Sequence, residues 1–133
     1  MKNFTIGSDP EALIINTKTN KLVSSIGLIP GEKGNPYRPE DLPEGFGLET
    51  DNVLVEFNIP PTPLYDEDAF VSNMIRMREW IRSFVKNIQP ELDITHAASA
   101  LFDDDQLQTK EAQEIGWIQP GNVNNITVTS LIR

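Results

Sequence analysis

The sequence predicts an α+β domain, and three observations predict it. Short β-prone runs separated by turn residues recur along the chain, and one unbroken amphipathic stripe over residues 66–90 has helical spacing. The length, 133 residues, allows one ordinary core and is too short for two.

The first β-prone runs are Phe4 to Ile6 and Glu11 to Ile15, followed by a polar turn from Asn16 to Lys21 and then Leu22 and Val23. This pattern predicts a hairpin approached through Pro10. Residues 27–47, GLIPGEKGNPYRPEDLPEGFG, hold five glycines and four prolines, too many for a ladder or a helix, so a long ordered loop is expected. Loops of that length in compact domains are usually functional or disordered.

Thr50 to Pro60 reads as a strand. Period-two alternation puts Val53, Val55 and Phe57 on one face and Asn52, Leu54, Glu56 and Asn58 on the other, with Pro60, Pro61 and Pro63 ending it. Beyond it, Phe70, Met74, Met77, Ile81, Phe84 and Ile88 step by four, three, four, three and four, one apolar helical stripe. Asp66 caps that helix, Glu67 and Asp68 suit its first turn, and Pro90 stops it. The stripe is read as core-facing rather than as a binding groove. Leu92 to Leu101 reads as a further strand, Asp103 to Asp105 as a solvated turn, and the stretch to Glu114 as a short polar helix or turn. Composition shifts at Gly116, after which no acidic residue occurs, and ITVTSLI at 126–132 is strongly β-prone. The chain therefore divides into residues 1–115 and a divergent segment, 116–133, with a final strand expected.

Twenty acidic against eleven basic residues give a net charge of −9, which repels a phosphate backbone, so a nucleic-acid partner is not expected. The chain has no cysteine, which removes disulfides, thiolate zinc sites and thiol nucleophiles and suits a reducing cytoplasm. No apolar run approaches the ~20 residues of a membrane span, and no signal peptide is visible at the start. A cytoplasmic protein without a membrane partner is the expectation.

Several carboxylates sit where chemistry is possible. Asp9 and Glu11 bracket Pro10 and, if extended, project to one face, where they could share a hard cation such as magnesium; Asp-Pro-Glu is also a common turn, the reading that spacing alone favours. Glu56 has apolar neighbours on both sides, so it must be paired, metal-bound or facing water. Its face, with Asn52 and Asn58, is either solvated or a site. Lys33 and Arg38 lie in the glycine-rich loop and could reach phosphate oxygens, although the spacing is not that of a P-loop. His96 is the only histidine and reads as structural, and the run Asp103 to Asp105 lacks the glycine and distal glutamate of an EF-hand loop.

GSDPEALI at 7–14, IPGEKGNP at 29–36 and DNVLVEFNIPP at 51–61 occur in an order and spacing that resemble the phage-type COOH–NH2 ligases of the glutamine-synthetase-like amidoligase superfamily. The helix from Asp66, AASALFDDDQL and KEAQEIG continue the likeness over most of the chain. The resemblance implies a curved antiparallel sheet with the long amphipathic helix packed on its outer face, a partial glutamine-synthetase-like fold. It implies ligation of a small-molecule carboxylate to an amine using ATP and Mg2+ through an acyl-phosphate. Glu11 and Glu56 correspond to family metal-site glutamates, with Asp9 beside them as a third metal candidate. Lys33 and Glu56 are the catalytic candidates that the resemblance implies, and Lys33, Arg38 and Asn58 the nucleotide-side ones.

The chain departs from the family at its end. Complete members are about twice as long by domain-size expectations, and carry a Gly-Gly-His segment that is absent here, where WIQPGNVNNITVTSLIR follows residue 116. The expected function is accordingly an ATP/Mg-dependent ligase-like domain that is incomplete alone and needs a second copy or another chain. The alternative is a catalytically inactive acidic phage protein that binds and inhibits a host protein in the host cytoplasm, its charge competing with DNA for a basic groove.

Overall fold

A computed structural model describes residues 4–113, so the expected final strand at 126–132 and the whole segment 116–133 lie outside the described residues. In chain order the elements are β1 (Thr5–Ile6), β2 (Glu11–Asn16), β3 (Lys21–Val23), β4 (Gly47–Asp51), β5 (Leu54–Asn58), β6 (Thr62–Pro63), α1 (Glu67–Ile88), β7 (Leu92–Thr95), a 3₁₀ turn (Asp104–Leu107) and α2 (Lys110–Gln113). The fold is α+β: a curled antiparallel sheet with one long helix, as the sequence predicts.

β2 is the hub. It pairs with β5 through Glu11 and Ala12, with β3 through residues 14–16 and with β7 through residues 13–16, while β4 pairs with β5; β1 and β6 form a separate two-stranded ribbon. All of these pairings are antiparallel. The residues explain the alternation: Ala12, Ile14, Leu48, Val55, Phe57, Leu92 and Ile94 turn to one face and are buried. α1 covers that face with Met77, Ile81 and Val85, each fully buried, and Phe70, Met74 and Phe84 pack around them. Burying each of these large side chains contributes roughly 1.5–3 kcal/mol. Val85 rather than Ile88 carries the last buried turn of the helix, since Ile88 is exposed.

The helix ends follow the expected chemistry. The Asp66 carboxylate accepts from the Ala69 N–H (3.1 Å), Glu67 and Asp68 lie at the positive end, and Lys86 lies at the negative end. On the flank of α1, Asp93 of β7 receives Arg82 Nε (2.8 Å) and Lys86 Nζ (2.9 Å), tying helix to sheet.

Three sequence expectations are corrected. The strand read as Thr50 to Pro60 is two strands of a hairpin, β4 and β5, joined at Asn52 and Val53. Asn52 takes a positive φ of 53°, a conformation in which asparagine is enriched and which reverses the chain. The strand read as Leu92 to Leu101 stops at Thr95, and Ala97 to Leu101 run on exposed and outside the ladder. The opening run at Phe4 to Ile6 pairs with β6, Thr5 opposite Pro63, so Pro63 lies within an edge strand.

The glycine-rich loop, residues 27–46, lies against the outer edge of β4. Tyr37 and Leu48 exchange both backbone hydrogen bonds (2.8 and 2.9 Å), which pairs an edge otherwise open to aggregation. Gly31 sits at φ +92° so close to β4 that a Cβ there would lie 2.4 Å from the Leu48 carbonyl oxygen. The far end is held by Trp80, whose indole N–H lies 3.0 Å from both Asp41 oxygens and whose ring stacks on Phe84. The Asp103 to Asp105 turn is fastened to β3 by Asp103, whose carboxylate pairs with Lys21 Nζ (2.6 Å), and by Gln106. The Gln106 side chain donates to the Leu22 carbonyl (2.7 Å) and accepts the Ser24 N–H (2.5 Å). No helix among the described residues is long and apolar enough to cross a membrane.

Candidate functional site

The face of the sheet opposite α1 is acidic, for a reason written in the register. Glu11 of β2 stands directly opposite Glu56 of β5, and Glu56 stands directly opposite Glu49 of β4. Three glutamates therefore form a row across three strands, although like charges set directly opposite one another destabilise a sheet. Asp51, two residues beyond Glu49, projects to the same side at the end of β4. One carboxylate oxygen from each of Glu11, Asp51 and Glu56 can be chosen so that all three lie within 4.8 Å of one another. Three hard oxygen donors at that separation are a geometry that a divalent cation such as magnesium or calcium can span.

Electrostatics records the crowding. The Glu56 carboxyl is pushed up to about 7 by burial first, then by the charges of Glu49 and Asp51, a hydrogen bond with Asp51, and the charge of Asp9. Near neutral pH Glu56 thus shares a proton with its surroundings rather than carrying a full charge. The neighbours are held in place. Asn58 Nδ2 donates to Asp9 Oδ1 (2.9 Å), and Glu49, almost fully buried, accepts the Gly34 N–H (3.2 Å). Lys33 Nζ lies 2.5 Å from Asp51 Oδ1.

Of the residues expected from sequence, the structure brings Glu11, Glu56, Asp9 and Asn58 to one face and places Lys33 at its rim on Asp51. Asp9 is engaged with Asn58 and is not one of the three mutually close carboxylates, where Asp51 stands instead. Arg38 is exposed and joins none of these contacts. His96 is exposed at the end of β7, its Nδ1 3.4 Å from Arg78.

Sequence reasoning missed Glu49 and Asp51. Their signal was available: in GLETD these two acids alternate with Leu48 and Thr50, the same period-two pattern that singled out Glu56. Beginning the strand at Thr50 cut the pattern short.

Two cavities flank the hairpin turn at Asn52. One, of about 560 Å³, is bounded by Glu11, Leu13, Leu54, Phe102 and the Ala97 to Ala100 segment. The other, of about 710 Å³, lies under the glycine-rich loop beside Gly27, Gly31, Lys33 and Thr50. Of the three close carboxylates Glu11 lines the first cavity, and Lys33, the ion-pair partner of Asp51, lines the second. Compared with protein-family models, curated proteins and solved structures, the chain matches none.

Proposed function

We propose that this chain is a divalent-cation-dependent, carboxylate–amine ligase-like domain, one half of an ATP-using site that a second copy or another chain completes. The single observation that carries the reading is the mutual approach of Glu11, Asp51 and Glu56 within 4.8 Å on a sheet face that the core does not use. Among the described residues, repulsion on that face is offset by protonation of Glu56, by the Lys33 ammonium and by the amide donors of Asn58 and Gly34. A cation offers a stronger relief.

The donor set fits magnesium, with Glu11, Asp51 and Glu56 as ligands and Asp9 and Asn58 as the hydrogen-bonded pair beside them. A cation held there would neutralise charge developing on a transferring phosphoryl group. The described residues do not by themselves fit a triphosphate, because Lys33 is the one basic group beside the carboxylates and Arg38 stands apart. That shortage supports the half-site reading, since several phosphate charges need ligands from both halves to be held in reacting geometry.

Isothermal titration of the chain with Mg2+, and with Mn2+ as a second probe, tests the site. Binding that is lost in Glu56→Gln and in Glu11→Gln is expected. Titration heats that are absent, or unchanged in both variants, would refute it. Repeating the titration with ATP, alone and after sedimentation of the chain to establish its oligomeric state, tests the nucleotide half separately.

A further inference from the structure

The β2–β7 ladder is cut short, and the cut coincides with a cavity. In an antiparallel strand, successive residues turn their N–H and C=O to alternate edges. The Phe57 N–H bonds to the Pro10 carbonyl (3.0 Å), so residues of that parity serve the β5 edge; the Thr17 N–H bonds to the Glu91 carbonyl (2.8 Å), so residues 13, 15 and 17 serve the β7 edge. By the same parity the Glu11 main chain faces the β7 edge. The last pair on that edge is Leu13 with Thr95. Two residues further in that register Glu11 would meet Ala97, and that pair is not made: Ala97 bends away, its N–H given to Thr95 Oγ1 (2.9 Å). Ala98, Ser99 and Ala100 continue exposed, with main-chain groups that make no hydrogen bond among the described residues.

Between the open end of β2 and this segment lies the 560 Å³ cavity, a volume within the roughly 300–1,000 Å³ typical of ligand sites. Its walls offer apolar side chains in Leu13, Leu54 and Phe102, methyl groups too small to block a close approach in Ala98 and Ala100, and one charged group, the exposed Glu11 carboxylate. Main-chain donors and acceptors left open on both sides of a slot recognise peptide groups. A carboxylate at the end of the slot, within 4.8 Å of oxygens of Asp51 and Glu56, recognises an ammonium.

We propose that this slot binds the amino-terminal end of an extended peptide, its main chain bonding to Ala98–Ala100 and its ammonium meeting Glu11. The binding site stands on the interrupted ladder and the cavity and does not rest on the ligase-like reading above. Binding can therefore be measured without nucleotide or divalent cation, and it can fail while the cation site stands, or stand while the cation site fails.

The test is an amide-NMR titration of the 15N-labelled full chain, in EDTA, with tetra-alanine and with N-acetyl-tetra-alanine. Tetra-alanine is expected to shift the amides of Glu11, Ala98, Ser99 and Ala100, and losing the charge by acetylation to weaken binding about tenfold, as for a hydrogen bond to a charged group. Glu11→Gln should weaken the free peptide to the level of the acetylated one. Ala98→Pro, which removes a donor from an exposed segment and leaves the core untouched, should weaken both. No shift at these amides up to millimolar peptide, equal affinity for the two peptides, or binding indifferent to Ala98→Pro would each overturn the assignment.

Discussion

Replacing Glu56 with glutamine should stabilise the cation-free protein at alkaline pH, and the structure gives the size and sign of the effect. The Glu56 carboxyl titrates near 7 in the fold, against 4.5 for the unperturbed group. Between those values the folded state holds a proton that the unfolded state has lost, so stability falls as pH rises from about 4.5 through about 7, then levels off. At about 1.4 kcal/mol per pH unit the displacement corresponds to about 3 kcal/mol, which solvent screening on a partly open face reduces to about 1–2 kcal/mol. Glutamine resembles the protonated carboxyl: it is neutral and can donate to Asp51 as the shared proton does. Glu56→Gln should therefore exceed the wild type by about 1–2 kcal/mol at pH 8.5, roughly 3–8 °C in Tm for a chain of this size, and match it at pH 4. Urea denaturation in EDTA at pH 4, 6, 7 and 8.5 measures the difference. A variant less stable than wild type at pH 8.5, or a gain that is the same at every pH, would refute the claim that carboxylate crowding on this face destabilises the fold. Adding Mg2+ should invert the order at pH 8.5, since only the wild type keeps the full ligand set and the bound ion stabilises by mass action.

Two further outcomes test the frame around the site. Gly31→Ala should cost more than about 2 kcal/mol by thermal denaturation, because a Cβ would lie 2.4 Å from the Leu48 carbonyl and 2.7 Å from the Tyr37 nitrogen at a φ of +92°; an unchanged Tm would show that the loop does not press on β4. Asp93→Asn should cost about 1 kcal/mol at pH 7, in line with a partly exposed pair of ion pairs. Burial alone would raise the Asp93 carboxyl, but hydrogen bonds from Lys86 and Arg82 outweigh it and hold the group below its usual value. Its contribution is therefore present above the ordinary aspartate range near 3.8 and is lost as pH falls through the lower, folded value. The difference between Asp93→Asn and wild type should shrink toward zero in acid, and a difference independent of pH would contradict the ion-pair account.

Local pattern determined much of this protein. The spacing of Phe70, Met74, Met77, Ile81 and Phe84, with Asp66 before it and Pro90 after it, specifies α1 because helical periodicity and capping are written in residues at most four apart. The alternation around Glu56 likewise places a carboxylate opposite a buried Val55 and Phe57, whichever strands lie beside it. Strand ends were less legible. A left-handed Asn52 turned one expected strand into a hairpin, and Ala97 left the ladder where nothing in LDITHAASAL marks a break. Tertiary structure alone decided that Glu11 meets the carboxylates of the β4–β5 hairpin. Glu11, Glu49 and Glu56 share a row only because β2 and β4 flank β5 in one particular register, and a slip of one residue would have sent a whole strand's acids to the helix side. Asp51 joined Glu11 and Glu56 for the same reason, and the slot beside Glu11 exists because two strands that pair for four residues then part. The register of β4 on β5 is local, set by the tight turn at Asn52, whereas that of β2 on β5 is fixed by packing on the buried face of strands brought together from 45 residues apart, and no short window of sequence contains it.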